Sequence, residues 1–463
     1  MSNSVSKPSF SGAATPHARP TAWPAAIGLL AKWLDRRERI DELIDTLPPG
    51  LSGAERARCQ HLVFGVVRHF GRLEAALGRL VSHAPRFPTR AVLFMAGYEL
   101  IEAADSPAAD GLVAKIVHHA VEQTKAVASK SEAGLVNAVV RKLALALAVP
   151  PPPKLASADV LAEYFSHPDW LVKRWLVDFG ADATRKLLEW NQQPATVYAR
   201  WRPAVVEAST VAEAKVLKSE GEFAGAEPVP DFLKPTQWLG FYEVPSGQWS
   251  KVEPLLKSGK IYLQDPGTRL AVELLAPQAG ETILDGCAAP GGKSLLMADA
   301  MKTGKIVAMD LPGPRIARLK ENLSRAHGVE VALVQADLLA NPAPTLFEHK
   351  LPDSYDAVII DVPCSNTGVM RHRADVKWRL EPRDFDKHGR QQLALLHAAA
   401  RLVAPGGRLV YSTCSLDPEE NERVVKAFFD SRAGGPFKLA GSVISQPWVT
   451  GHDGGAAYLL KKS

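Results

Sequence analysis

The feature that most constrains the fold is an alternation of apolar strands and helices from residue 261 to the C-terminus. The strand segments are almost continuously apolar, as in strands buried on both faces, and the segments between them have helical spacing. This order predicts an α/β fold with a mostly parallel sheet covered by helices on both faces, in which ligands bind at the carboxyl ends of the strands. The predicted strands are 282–284, 305–310, 330–335, 355–361 and 408–413, and the predicted helices are 293–301, 314–327, 388–403 and 418–431.

Upstream of this region the composition changes three times. Residues 1–24 are rich in Ser, Ala and Pro and predict a disordered tail, whereas residues 25–149 have the one-sided apolar spacing of packed helices. Four consecutive prolines at 150–153 end the helical region. Residues 150–260 predict a linker and an α+β subdomain that precedes the strand–helix region at 261–463.

Composition argues against several classes of protein. The chain has 46% hydrophobic and 23% charged residues, and an apolar run long enough to span a membrane is absent from the sequence. Its four cysteines form no C-x-x-C pair, so we expect neither a metal site nor disulfides, and a reducing cytoplasm. Residues 1–150 hold 18 Lys and Arg against 13 Asp and Glu. This excess favours an anionic partner, although solvated arginines on a helical domain give the same pattern.

The loop after the first strand, residues 285–293, is called the glycine loop and has the sequence DGCAAPGGK. It is not a Walker A loop, because Gly286 lies one residue too early and Pro290 lacks a backbone N–H that a phosphate needs. Asp310, which ends the next strand, suits ribose hydroxyls, and Asp337 after the third strand suits adenine N6. Together they predict an adenosyl ligand without phosphates, which points to S-adenosylmethionine. An ordinary glycine turn is the alternative.

Two cysteines follow strands that should end at the same edge of the sheet, Cys364 in Asp-Val-Pro-Cys and Cys414 in Ser-Thr-Cys-Ser. A thiolate that adds to C6 of cytosine makes C5 electron-rich enough to take a methyl group from a sulfonium. Release of the adduct then needs a base or a second thiol. Asp361, three residues before Cys364, suits N3 and N4 of the base. The residues alone do not rank the two cysteines, and burial of both as small apolar side chains is the alternative.

A basic stretch follows Cys364. Arg371, Arg373, Lys377 and Trp378 combine cations with an aromatic ring, as suits a phosphate backbone and an unstacked base. Acidic residues are interleaved with them, so a solvated surface loop is the alternative.

Three motifs, at 285–293, 361–368 and 411–421, resemble the Nop/Sun family of RNA cytosine-C5 methyltransferases. Residues 56–73 and 134–141 are similar to the NusB-like helical RNA-binding domain of its bacterial Sun/Fmu subgroup, so that the resemblance covers almost the whole chain after the tail. It implies a class I S-adenosylmethionine-dependent methyltransferase domain with a Rossmann-like fold, preceded by an all-α NusB-like domain. It also implies methylation of one cytosine in small-subunit ribosomal RNA.

The resemblance further implies roles for individual residues. Cys414 is the expected nucleophile, Cys364 the residue that assists product release, and Asp361 the residue at the cytosine edge. Two segments depart from the family pattern, Ala-Arg-Trp-Arg at 199–202 and Asp-Gly-Gly-Ala at 453–456, and we expect neither to touch the chemistry. The expected cofactor-binding residues are Cys287, Ala288, Ala289, Pro290, Gly291, Gly292, Lys293, Asp310, Asp337 and Asp361.

Two other functions are compatible with these residues. The same chemistry would also serve tRNA or large-subunit ribosomal RNA, and the helical domain would suit a non-enzymatic RNA-binding assembly or antitermination factor. The presence of Asp361, Cys364 and Cys414 together argues against the second function, because a pure binder does not need them. We expect the chain to act as a monomer.

Overall fold

The computed structural model describes residues 20–104, 109–202 and 228–463, which divide into two compact units between Pro151 and Pro152. This division falls within the run of four prolines. Residues 1–19 of the predicted tail lie outside the described residues. The tail prediction extends too far, because the first helix begins at Ala22 and buries Ala22 and Trp23.

The described part of the first unit is helical. Edge-to-face ring contacts join three of its helices, with 5.1 Å between the ring centroids of Trp33 and Phe70 and 5.6 Å between those of Phe70 and Phe94. Ser129 and Glu132 form a capping box at the start of the last helix, which satisfies backbone N–H groups there. The helices are α1 Ala22–Arg36, α2 Ile40–Asp45, α3 Gly53–Gly78, α4 Phe87–Ala103, α5 Ala109–Val127 and α6 Lys130–Leu147.

The second unit begins with two helices and a small antiparallel sheet. The second of these helices is kinked at Gly180, which has a φ of 78°. Part of the predicted 150–260 subdomain, residues 203–227, lies outside the described residues. The sheet has the strand order β2-β3-β1-β4. These elements are α7 Ala158–Tyr164, α8 Asp169–Gln192, β1 Tyr198–Trp201, β2 Lys234–Pro235, β3 Phe241–Glu243, α9 Trp249–Lys257 and β4 Ile261–Leu263.

A seven-stranded sheet forms the rest of this unit, in the order β10-β11-β9-β8-β5-β6-β7. Strands β5 to β9 pair in parallel, and β11 is antiparallel to both of its neighbours. The elements are α10 Arg269–Leu275, β5 Thr282–Asp285, α11 Gly292–Met301, β6 Lys305–Asp310, α12 Arg315–Leu323, β7 Glu330–Gln335, α13 Ala343–Glu348, β8 Tyr355–Asp361, α14 Pro382–Arg401, β9 Val403–Thr413, α15 Glu422–Phe429, β10 Phe437–Ser445, α16 Pro447–Thr450 and β11 Gly455–Lys462.

Helices cover both faces of this sheet, which confirms the predicted α/β fold. On one face Leu396 of α14 and Phe428 of α15 are fully buried, and on the other face Leu275 of α10 and Met297 of α11 are fully buried. The parallel register places Asp361 beside Ser412, so the ends of β8 and β9 meet at one edge. Among the described helices, none has the length and apolarity needed to cross a membrane.

Candidate active site

Backbone hydrogen bonds tie the glycine loop to the strands on both sides of β5. The Gly286 N–H donates to the carbonyl of Ile359 in β8 at 2.8 Å, and the Ala288 N–H donates to the carbonyl of Met309 in β6 at 3.0 Å. The Ala289 N–H donates to Oδ2 of Asp310 at 2.8 Å. Gly291 has a φ of 104°, a conformation that favours glycine, and α11 begins at the next residue. The loop is therefore fixed at the carboxyl end of β5.

The glycine loop lines a large cavity of about 390 Å³, a volume typical of small-ligand sites. A Cβ at Gly292 would lie 3.0 Å from Nε2 of Gln264 and 3.2 Å from the Tyr262 ring, so glycine keeps this wall of the cavity open without a shift of either side chain. Burial and the charge of Asp285 raise the pKa of Cys287, so this lining thiol stays neutral. The predicted residues that line the cavity are Cys287, Ala288, Ala289, Pro290, Gly292, Lys293 and Asp361.

The two remaining acids of the predicted pocket lie at their strand ends, but both bind the protein itself. The carboxylate of Asp310 is buried and accepts from the N–H groups of Ala289 and Leu311 and from Arg315. Asp337 is exposed, and its Oδ1 accepts from the Leu339 N–H at 2.9 Å. Asp310 therefore holds the loop in place, and Asp337 caps a short turn.

Residues from four separate segments complete the large cavity, and none of them is among the cofactor-binding residues predicted from the sequence. Gln264 and Asp265 precede α10, and none of the motifs singled out in the sequence includes them. The Asp453 carboxylate accepts a hydrogen bond from His372, with 3.0 Å between Nδ1 and the carboxylate oxygen. The additional lining residues include Tyr198, Gln264, Asp265, His372 and Asp453.

A small cavity of about 130 Å³ adjoins the large one, and both are lined by Lys293 and Asp361. Lys293 Nζ donates to Oδ2 of Asp361 at 2.6 Å, and Ser412 Oγ donates to Oδ1 of Asp361 at 2.9 Å. Burial lowers the pKa of Lys293, but the attraction of Asp361 outweighs it and the net pKa is raised. An ammonium–carboxylate pair therefore stands between the two cavities.

The small cavity contains Cys414, and its wall includes Gly455 and Ala456. The expectation that the departure at 453–456 is remote from the chemistry is therefore wrong. It failed because β11 pairs with β9, with Ala456 opposite Thr413, and this brings the departure beside the cysteine.

The two predicted cysteines lie together, with 2.9 Å between Cys364 Sγ and Cys414 Sγ. Both are free thiols; Cys364 is buried, whereas Cys414 is partly exposed on the small cavity. The hydrogen bond with Cys414 raises the pKa of Cys364, and burial and the charges of Cys414 and Glu420 raise it further. Cys364 therefore keeps its proton, and Cys414 is the sulfur that a ligand in the small cavity reaches.

Comparisons with known proteins agree with this geometry. Residues 272–441 match the family model described as 16S rRNA methyltransferase RsmB/F, and residues 22–145 match the NusB family model. The ribosomal RNA small subunit methyltransferase B of Sodalis glossinidius is 31% identical over 404 residues, which cover 86% of this chain and 87% of that protein. The chain belongs to this methyltransferase family. The protein of the same name from Cronobacter sakazakii is 29% identical over 92% of this chain and 96% of its own length.

Solved structures support the fold of this family member. The crystal structure of PH0851 has a TM-score of 0.68 and 22% identity, and the match covers 95% of this chain and 99% of that chain. A methyltransferase homolog from Pyrococcus horikoshii has a TM-score of 0.51 and 23% identity, covering 66% of this chain and 99% of that one. The predicted NusB-like domain and methyltransferase fold are therefore confirmed. The enzyme is an S-adenosylmethionine-dependent methyltransferase.

The predicted RNA contacts of this methyltransferase are only partly compatible with the structure. Arg371 is buried, donates to the carbonyl of Pro194 at 2.7 Å and lies 4.0 Å from the ring centroid of Trp190. Lys377 is also buried, with 1% of its surface exposed. Burial argues against RNA contact for these two residues. Arg373 is exposed and Trp378 is half-buried, so their predicted contact with RNA stays a prediction.

Proposed function

We propose that this methyltransferase transfers a methyl group to C5 of a cytosine in small-subunit ribosomal RNA through a covalent bond between Cys414 and C6. The observation that carries the proposal is the pair of adjoining cavities, one on the glycine loop and one on Cys414, with Lys293 and Asp361 on both. The names of the curated relatives support small-subunit ribosomal RNA as the substrate.

The large cavity is the proposed site of S-adenosylmethionine, which supplies an electrophilic methyl group on its sulfonium. Residues 287–293 form its floor, and Asp310 positions them through the Ala289 N–H. Asp310 and Asp337 lie outside the lining of this cavity, so their contacts with a ribose hydroxyl and with adenine N6 stay predictions. The open wall at Gly292 and the cavity volume fit a ligand of this size.

The small cavity is the proposed site of the target cytosine. Asp361 accepts a hydrogen bond from N4, and the Lys293 ammonium supplies positive charge beside the ring. Attack of Cys414 at C6 pushes electrons into the ring, and a positive charge already in place stabilises them. The resulting adduct has an electron-rich C5 that faces the large cavity, where it would form a bond to the methyl group of a bound sulfonium. The S–CH₃ bond would break with its electron pair on the sulfur, which would become a neutral thioether.

Release reverses the attack. The C5 proton leaves to a base, the C5–H electron pair re-forms the C5=C6 double bond, and the C6–S bond breaks with its electrons on Cys414. Cys364 Sγ lies 2.9 Å from that sulfur, so its thiol donates a hydrogen bond to the departing thiolate. This donation explains why one of two adjacent cysteines attacks and the other assists release.

Methyl transfer from labelled S-adenosylmethionine to ribosomal RNA tests these roles. Cys414→Ala should lower transfer below about a thousandth of the wild-type rate, because the covalent step is lost. Cys364→Ala should accumulate a covalent RNA adduct. Cys59→Ala is the matched control, since Cys59 is buried in α3 of the other unit. Full activity of Cys414→Ala would sink the proposal.

We propose that the NusB-like unit holds RNA and that the second unit carries the chemistry. Bisulfite sequencing of ribosomal and transfer RNA from a deletion strain distinguishes the possible substrates, because only the true target loses its protected cytosine. Loss at a tRNA or large-subunit position instead would redirect the proposal. Failure to bind S-adenosylmethionine in calorimetry would favour a non-enzymatic RNA-binding factor.

A further inference from the structure

A fully buried carboxylate lies behind the two cysteines. Glu420 ends a short turn between Cys414 and α15, and its side chain has no exposed surface. Its carboxylate accepts from three uncharged donors. The Ser365 N–H and Gln392 Nε2 donate to Oε2 at 2.9 and 2.8 Å, and Ser415 Oγ donates to Oε1 at 2.7 Å.

These donors link both cysteine segments to one side chain. Ser365 directly follows Cys364, and Ser415 directly follows Cys414. Gln392 of α14 also donates to the carbonyl of Pro363 at 2.9 Å, one residue before Cys364. A change in the position of the Glu420 carboxylate therefore moves both segments, and with them the distance between the two sulfurs.

We propose that Glu420 is a positioning residue for the two cysteines, fixing the separation of their sulfur atoms and orienting the hydrogen bond between them so that Cys364 donates and Cys414 accepts. The inference rests on the proposed function, because it assigns the accepting sulfur to the proposed nucleophile. It adds a residue outside both cavities to the catalytic machinery.

Glu420 and its buried neighbour Asp417 differ in the groups that compensate their negative charge. Asp417 accepts from Arg174 Nε at 3.0 Å and from Thr367 Oγ1 at 2.6 Å, so a guanidinium compensates its charge. The Glu420 carboxylate accepts instead from the uncharged Ser365 N–H, Gln392 and Ser415, and a charge in a low-dielectric interior acts strongly on nearby groups. It is among the causes that raise the pKa of Cys364.

The other titratable groups around Glu420 do not replace this charge. Tyr411 of β9 donates from its hydroxyl to the main-chain carbonyl of Glu420 at 2.5 Å, and burial raises its pKa, so it stays neutral. Burial raises the pKa of Asp417 to about 6, and Arg174 of α8 faces Asp417. Among the described residues, Cys364 is a further titratable group that the Glu420 charge acts on, and it shares a hydrogen bond with Cys414.

The test is the pH dependence of iodoacetamide modification at Cys364, read by peptide mass spectrometry in a Cys414→Ser background. In this background Cys364 is the remaining thiol of the cysteine pair, and its peptide is resolved from that of Cys287. Glu420→Gln should lower the midpoint for Cys364 by about one pH unit, since loss of a nearby negative charge favours the thiolate. Glu419→Gln is the matched control, because Glu419 pairs with Arg174 and Arg423 instead, and it should leave the midpoint unchanged. Equal midpoints in both variants would overturn the charge assignment.

A second variant separates spacing from charge and remains informative if Glu420→Gln fails to fold. Ser415→Ala removes the hydrogen bond to Glu420, together with those that the Ser415 hydroxyl accepts from the Asp417 N–H and from Ser365, but keeps the charge of Glu420. We expect slower methyl transfer in the otherwise wild-type enzyme, by about tenfold as for loss of one charge-assisted hydrogen bond, with an unmoved Cys364 midpoint. Transfer at the wild-type rate would overturn the spacing role. The titration of Cys364 needs neither RNA nor cofactor. An unmoved Cys364 midpoint would therefore refute the role of Glu420 without bearing on whether Cys414 is the nucleophile.

Discussion

Removal of the Asp299 carboxylate should loosen one wall of the large cavity. Asp299 lies on α11, the helix that follows the glycine loop. It accepts hydrogen bonds from Arg200 and Arg202, which belong to the segment 199–202 that departs from the family pattern. The bonds measure 2.5 Å from Arg200 Nη1 and 3.0 and 2.8 Å from Arg202. Arg200 Nε also donates to Gln264, which lines the cavity. One carboxylate thus joins β1 and the cavity wall to the glycine-loop helix.

The magnitude follows from the burial of the three side chains. The guanidinium groups are only 6% and 4% exposed, and Asp299 is 12% exposed, so Asp299→Asn strands two buried cations. Breaking a buried ion pair costs about 3–5 kcal/mol. Because burial already lowers the pKa of Arg200 and water reaches part of Asp299, we expect the lower end, about 3 kcal/mol.

Amide hydrogen exchange of peptides covering β1 and β4 measures this cost. Since each 1.4 kcal/mol is a factor of ten, exchange there should accelerate about a hundredfold in Asp299→Asn. Asp182→Asn is the matched control, because its ion pair with Lys186 is at the surface and 84% of the Asp182 side chain is exposed. Unchanged protection of β1 in Asp299→Asn would refute the reasoning.

Two further perturbations bear on the site. Lys293→Met should lower the single-turnover rate of methyl transfer by about a hundredfold while the RNA still binds. Lys305→Met is the control, because Lys305 pairs with Glu330 at the start of β6, and it should leave the rate unchanged. Equal rates in the two variants would contradict the role of the Lys293 ammonium. Burial and the charge of Asp453 raise the pKa of Asp265 to about 7. The folded protein then keeps a proton that the unfolded chain releases, so stability is lost as pH rises from about 4 to 7. Asp265→Asn should therefore raise the melting temperature at pH 8 but not at pH 4, and an equal effect at both values would contradict this sign.

The sheet was predictable where strands are buried on both faces. All five predicted strands occur, because a short and almost continuous apolar run such as that of β8 is typical of a strand buried on both faces. The segments of β10 and β11 were not among the predicted strands. β10 is an edge strand whose positions are mostly exposed, and β11 contains small residues that become part of the sheet by pairing with both β9 and β10.

The candidate site was predictable in its centre but not at its rim. The glycine loop and the two cysteines follow strand ends, so local sequence and sheet geometry bring them together. His372 and Asp453 are distant in sequence and meet only through tertiary folding. Arg371 was predicted to contact RNA but is buried, for a similar reason. Its partners Pro194 and Trp190 belong to a segment almost two hundred residues earlier.

The central claim is that Cys414 forms the covalent bond with the RNA. Its most direct test is mass-spectrometric mapping of the adduct that Cys364→Ala should accumulate with ribosomal RNA and S-adenosylmethionine. We predict a single modified peptide in which Cys414 carries a methylated cytosine nucleotide. An adduct on any other residue, or absence of an adduct from a variant that still binds RNA and cofactor, would contradict the account.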